Sequence, residues 1–197
     1  QVTLKNILST SMTDALAWED INKPREEWVF NVPAQIALVT SQIIWTEEVE
    51  AALEEIESGQ EDALKKYNEL CNARLESLIR LVQSDLTKSD RIKIITVITI
   101  DVHNRDVVIA LIAKKVETNV DFKWQSQLRY YYLQEDRNVN IRICDYTTLY
   151  SFEYVGNCGR LVITPLTDRC YVTLTVALRL FLGGAPAGPA GTGKTET

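Results

Sequence analysis

The sequence predicts a mainly α-helical fold with one small β-hairpin or meander, running into the opening of an α/β phosphate-loop module. Three observations carry this expectation. Apolar residues recur at three- and four-residue steps between Trp45 and Val82. Polar and apolar residues alternate after Asn138. A Gly-, Ala- and Pro-rich stretch, 183–197, contains a full match to G-x-x-x-x-G-K-[ST].

Residues 1–30 mix helix and loop signals, with a short helix expected over "MTDALAWED". Pro24 and Pro33 interrupt regular structure, and a helical pattern starts after Pro33. Val49, Leu53 and Ile56 share one face. After a break at Ser58-Gly59 the period resumes with Leu64, Tyr67, Cys71, Leu75, Leu78 and Val82. Glu47, Glu48, Glu50, Glu54, Glu55 and Glu57 take the other faces and read as a solvated surface rather than a cation or partner patch.

"SDRIKIITVITIDVHNRDVVIALIAKK" is rich in β-formers, yet it runs without Gly or Pro from Ser89 to Lys115, which favours one helix. Its expected apolar stripe is Ile95, Ile98, Val102, Ile109 and Ala113, broken by Asp106. His103 stands alone in this stretch and reads as structural. "DFKWQSQLRYYYL", 121–133, is expected to be another helix capped by Asp121, its aromatics packing a core rather than stacking on bases.

Val139, Ile141 and Ile143 then alternate with polar neighbours, a hairpin signal over about 139–155 that Gly156 and Gly159 end. "RLVITP" reads as a brief extended segment closed by Pro165. "TDRCYVTLTVALRLFL" follows as a helix with Thr167 or Asp168 near its start, stopped by Gly183-Gly184.

Composition excludes several classes. With 46% hydrophobic residues, 24% charged residues and a net charge of −6, the chain is globular and lacks the basic balance of a nucleic-acid binder. Four cysteines without C-x-x-C spacing and a single histidine give a zinc site little support and point to a reducing compartment. The opening residues "QVTLKNILSTSMTDALAWED" do not read as a signal peptide, and no apolar run in the sequence approaches the ~20 residues that span a membrane. The absent initiator Met and the end just after the motif make the sequence read as a piece of a longer chain.

The motif itself is Gly188-Pro189-Ala190-Gly191-Thr192-Gly193-Lys194-Thr195. Its glycines let backbone N–H groups curl inward onto phosphate oxygens, and a helix starting near Gly193 would add its dipole. Lys194 would reach the β- and γ-phosphates of ATP, and the Thr195 hydroxyl would ligate Mg²⁺. Four constrained positions match by accident in roughly one chain of this length in a hundred. Hydrolysis also needs a Walker-B acid and often an arginine finger, and this sequence supplies no complete catalytic set.

The run "LVITPLTDRCY" followed by "GGAPAGPAGTGKTET" resembles the entry to the first AAA+ module of dynein heavy chains. The loop wording is more like the axonemal than the cytoplasmic members. "ITIDVHNRDVVIAL", "DFKWQSQLRYYY" and "FEYVGNCGRL" are similar to the C-terminal part of the dynein linker, with an outer-arm character. The resemblance implies a linker region over 1–155 and the start of the AAA+ module over 156–197, with the Walker A loop at 188–195. It implies that Leu161, Val162, Ile163, Pro165 and Leu166 flank the adenine. It further implies a microtubule motor ATPase using ATP and Mg²⁺, minus-end-directed, in the cytoskeleton of a cilium or flagellum. Its partners would be microtubules and other dynein heavy, intermediate and light chains, not nucleic acid or membrane. Two other readings are a non-catalytic helical scaffold with a flexible Gly-rich tail, and an unrelated phosphate-loop kinase. The long helical region before the loop argues against the kinase.

Overall fold

Pro33, with φ −55° and ψ 147°, is the last extended residue before the longest run of buried side chains among the described residues. Its ring fixes φ and its missing N–H costs nothing there. The computed structural model describes residues 2–17, 25–156, 160–191 and 193–194. In chain order these form helices α1 (Val2–Ala17), α2 (Arg25–Trp28), α3 (Ala34–Glu57), α4 (Ala63–Val82), α5 (Lys88–Ala113) and α6 (Phe122–Gln125). Strands β1 (Arg129–Leu133), β2 (Asn138–Ile143) and β3 (Tyr146–Leu149) follow, then helix α7 (Pro165–Arg179). The expected short helix at 12–20 is, up to Ala17, the end of the longer α1, and Trp18 to Asp20 lie outside the described residues, as does Pro24.

Helix α3 is the axis of the fold, because every residue from Gln35 to Ser41 is buried. Two apolar clusters lie along it. Ile36, Val39 and Ile43 meet Leu8 and Met12 of α1, Leu78 of α4, and Ile94 and Val97 of α5. Trp45, Val49 and Leu53 meet Leu64 and Tyr67 of α4, Val108 and Leu111 of α5, and Trp124 of α6. The end of α4 and the start of α5 share one cluster, and the opposite ends share the other, so the two helices run antiparallel. Each fully buried Leu, Ile or Val contributes about 1.5–3 kcal/mol. The helical pattern expected over Trp45–Val82 and its break after Ser58 are both found.

Helix α5 is helical as expected but buries a different face. Ile95 is 49% exposed and Ile109 45%, while Asp106 and Ala113 are also exposed. The buried stripe is Ile94, Val97, Asp101, Asn104, Val108 and Leu111. Its polar members are paired, which is why the stripe does not look apolar. Arg25 donates to both Asp101 oxygens at 2.6 and 2.5 Å, and Gln42 donates to Asn104 at 3.3 Å. Lys93 donates to the carbonyls of Val29 and Val32 at 3.1 and 2.7 Å. Arg25→Met should leave Asp101 charged and unpaired in the core and cost about 3 kcal/mol in urea unfolding. The double variant Arg25→Met/Asp101→Leu should recover most of that loss.

The segment 121–133 corrects a second expectation. Asp121 does cap a helix, accepting from the Lys123 amide at 2.7 Å. That helix, α6, ends at Gln125, and Arg129–Leu133 form a strand. Three consecutive tyrosines favour a pleated surface, and β2 is available as a partner, so pairing wins over helix extension. The register is Arg129↔Arg142 through Leu133↔Asn138, and β2 pairs with β3 from Asn140↔Leu149 to Ile143↔Tyr146, giving an antiparallel meander. The other edge of β1 is tied to α3, since the Tyr130 amide donates to Thr46 Oγ1 at 3.1 Å.

Two of the glutamates read as solvated hold the fold together instead. Glu48 accepts both guanidinium nitrogens of Arg74, at 2.6 and 2.7 Å, and the Tyr67 hydroxyl at 2.9 Å. Glu50 accepts Trp124 Nε1 at 3.1 Å and the Tyr131 hydroxyl at 2.6 Å. Glu47, Glu54, Glu55 and Glu57 are exposed as expected.

After β3 the chain leaves the sheet under the control of Gln35. Its amide nitrogen donates to the Tyr150 hydroxyl and the Glu153 carbonyl, and its oxygen accepts the Val155 amide. Gly156 follows, and Cys158 and Gly159 lie outside the described residues.

Candidate nucleotide-binding site

The stem of the phosphate loop is α7. Its start differs from the sequence expectation, because Pro165 opens the helix rather than closing the segment before it. Thr164 is the N-cap in a capping box. Its amide donates to Thr167 Oγ1 at 2.6 Å, and its hydroxyl accepts the Thr167 amide at 3.4 Å. Proline at the first helical position has its φ already set and needs no partner for a missing N–H. Asp168 in the first turn and Arg179 in the last both complement the helix dipole. The helix ends at Arg179, ahead of Gly183-Gly184, and the Leu182 amide folds back to the Ala177 carbonyl at 2.8 Å.

From Leu182 the backbone is irregular and exposed up to a turn at Ala190 and Gly191. Gly191 has φ +77° and Gly193 φ +75°. A Cβ at either position would meet nothing within 4 Å, so the requirement for glycine is conformational and not one of space. Left-handed residues of this kind are what anion-cradling turns use to aim backbone amides at one ligand. Lys194 Nζ donates to the Pro189 carbonyl oxygen at 2.5 Å, closing the loop on itself. Gly188, Pro189 and Ala190 lie exposed on the approach. Gly193 and Lys194 occupy a bend and a turn, so the helix expected to open at Gly193 has not begun there. Thr192 and Thr195 lie outside the described residues.

The segment assigned to the adenine splits into two sets. Leu161 and Ile163 line a cavity of 490 Å³ against the helical body, whose other walls include Trp45, His103, Tyr130 and Tyr150. Val162 and Leu166 are exposed, and Pro165 sits exposed at the head of α7. None of the described loop residues lines that cavity.

Sequence reading missed one feature of this cavity. His103 of α5 shares it with Arg160 and with Asp168 of α7. Burial pushes the His103 imidazole down from its ordinary value, against the pull of the Asp168 and Asp106 charges. Burial likewise pushes Asp168 up, against the pull of His103. Nothing local to His103 signals a partner so far along the chain.

Comparison with known proteins agrees with the loop. Residues 150–197 match the family model described as the hydrolytic ATP binding site of dynein motor region. Over 196 residues the chain is 50% identical to the ciliary dynein beta chain of Heliocidaris crassispina, covering 99% of this chain and 4% of the relative. It is 54% identical over 175 residues to dynein axonemal heavy chain 17 of Homo sapiens, 89% of this chain and 4% of the relative. It is 50% identical over 174 residues to the flagellar outer-arm dynein beta chain of Chlamydomonas reinhardtii, 88% of this chain and 4% of the relative. The chain thus spans about one twenty-fifth of the length of these curated relatives. With half its residues shared along nearly its whole length, the chain belongs to the dynein heavy chains of the axonemal type.

Proposed function

We propose that this chain is the joint between the lever and the main ATP site of a microtubule motor ATPase working in the axoneme of a cilium or flagellum. The observation that carries the reading is the loop at 188–195. Its two left-handed glycines and its lysine belong to a chain about half identical to axonemal dynein heavy chains.

In this reading residues 1–155 are the end of the lever, and 156–197 open the AAA+ module. The backbone amides around Gly191 and Gly193 receive the ATP phosphates. Lys194 exchanges its contact with the Pro189 carbonyl for the terminal phosphates, and Gly188, Pro189, Ala190 and Thr192 complete the curl. Thr195 is the residue whose hydroxyl would hold Mg²⁺, the ion that neutralises charge on the phosphates. Leu161, Val162, Ile163, Pro165 and Leu166 flank the base. The acid that positions water and any arginine finger come from parts of the heavy chain beyond this sequence. Microtubules and the other dynein heavy, intermediate and light chains are the partners of that full chain, whose movement is minus-end-directed.

Nucleotide binding is the direct test. Mg·ATP at a hundredfold excess over Kd should stabilise the ATP module of the full heavy chain by about 2.7 kcal/mol, read as a rise in melting temperature. An unchanged melting curve would favour a helical scaffold with a Gly-rich tail.

A further inference from the structure

Helix α7 joins the phosphate loop to the helical body, yet among its 15 residues none is buried. A helix seated by its apolar face would bury several side chains in that length. Its inner side chains, Tyr171, Val172, Leu174 and Ala177, are only half-buried, and an ion pair with the body lies at its C-terminal end. At the C-terminal end Arg179 pairs with Asp145, both side chains a little over half exposed. Asp145 is held firmly in place. It occupies the two-residue turn between β2 and β3, closed by the pair Ile143↔Tyr146, where Cys144 has φ +49° and its amide donates to the Gln125 carbonyl at 2.6 Å. At the N-terminal end Asp168 lines the same cavity as His103, Leu161 and Ile163.

We propose that α7 is fastened to the helical body at its C-terminal end by the ion pair Arg179–Asp145, and that this fastening sets how stiffly the phosphate loop is coupled to the lever. The coupling half rests on the motor reading above; the fastening half does not. Arg179 also complements the dipole of α7 itself, so variants at that position would perturb the helix as well as its seating. Asp145 stands outside α7 and isolates the seating.

The test is hydrogen exchange and gliding with the full heavy chain carrying Asp145→Lys or Asp145→Glu. Asp145→Lys should raise exchange over 165–179 by about two- to fivefold, the range an exposed ion pair supplies, while α3 and β2 keep their protection. Asp145→Glu should behave as the unaltered chain. Raising salt from about 0.02 to 0.5 M should loosen α7 in the unaltered chain, where it screens an attraction, and not in Asp145→Lys, where it screens a repulsion from Arg179. Gliding of Asp145→Lys should slow while nucleotide affinity stays the same. Equal exchange of α7 in Asp145→Lys and the unaltered chain, or no salt response, would overturn the fastening. Faster exchange with unchanged gliding would overturn the coupling. Failure of the unaltered chain to bind ATP would sink the motor reading and leave the exchange result standing.

Discussion

Lys194→Ala in the full heavy chain is expected to stop ATP-driven microtubule gliding and to leave folding intact. The ammonium is a point charge in an exposed loop, and one of its contacts in the structure is with a carbonyl of the same loop, Pro189. Exchanging that neutral acceptor for phosphate oxygens is favourable, because a hydrogen bond to a charged group contributes about 1.5–3 kcal/mol. Losing it should weaken ATP binding by about 10- to 100-fold. The loss in turnover should be larger, since the charge acts where negative charge builds up on the phosphates. Lys194 belongs to neither apolar cluster, so the variant should unfold within about 0.5 kcal/mol of the unaltered chain. Lys194→Arg separates charge from shape. A planar fork cannot follow the tight curl set by Gly191 and Gly193, so it should rescue binding only in part. Normal gliding by Lys194→Ala would mean that this loop does not serve the motor's main site.

The left-handed backbone at Gly191 and Gly193 was legible because its requirement is local: φ in that region needs glycine. Helices α3 and α4 were legible for a related reason, as their buried faces are apolar at helical spacing. Legibility failed where a partner distant in sequence decided the outcome. The inward face of α5 carries Asp101 and Asn104 because Arg25 and Gln42 meet them, so the search for an apolar stripe settled on Ile95 and Ile109, which face out. Tyr130 to Tyr132 became a strand because β2 and Thr46 supply hydrogen bonds that no property of 121–133 reveals. Pro165 reads as a stop from the sequence alone, because proline ends as many segments as it begins. The Thr164–Thr167 box resolves it in the structure, with Thr167 in the place where Glu or Gln usually marks such a box. His103 met Asp168 only through folding, and no spacing rule reaches across that gap.

Trp124→Ala should be the most destabilising single change in the helical body, at about 3–5 kcal/mol. The side chain is fully buried and meets Trp45 edge-on, with ring centroids 5.3 Å apart and planes at 61°. Its neighbours Val49, Leu53, Val108 and Leu111 come from helices α3 and α5, which the sheet and α4 hold on their other sides, so the site has little freedom to collapse. The indole also joins α6 to α3 through Glu50, which the Tyr131 hydroxyl shares. Trp124→Phe keeps the ring contact but drops the N–H. It should cost far less, with about 1 kcal/mol for the lost hydrogen bond and a modest packing term. The ordering Ala well below Phe, read from urea midpoints at constant slope, is what a rigid cluster around Trp124 requires. A small loss for Trp124→Ala would mean that α6 can leave the body without disturbing it. The turn from α6 into β1 would then be free to move relative to α3, and the sheet that presents Asp145 to α7 would not be anchored through Glu50.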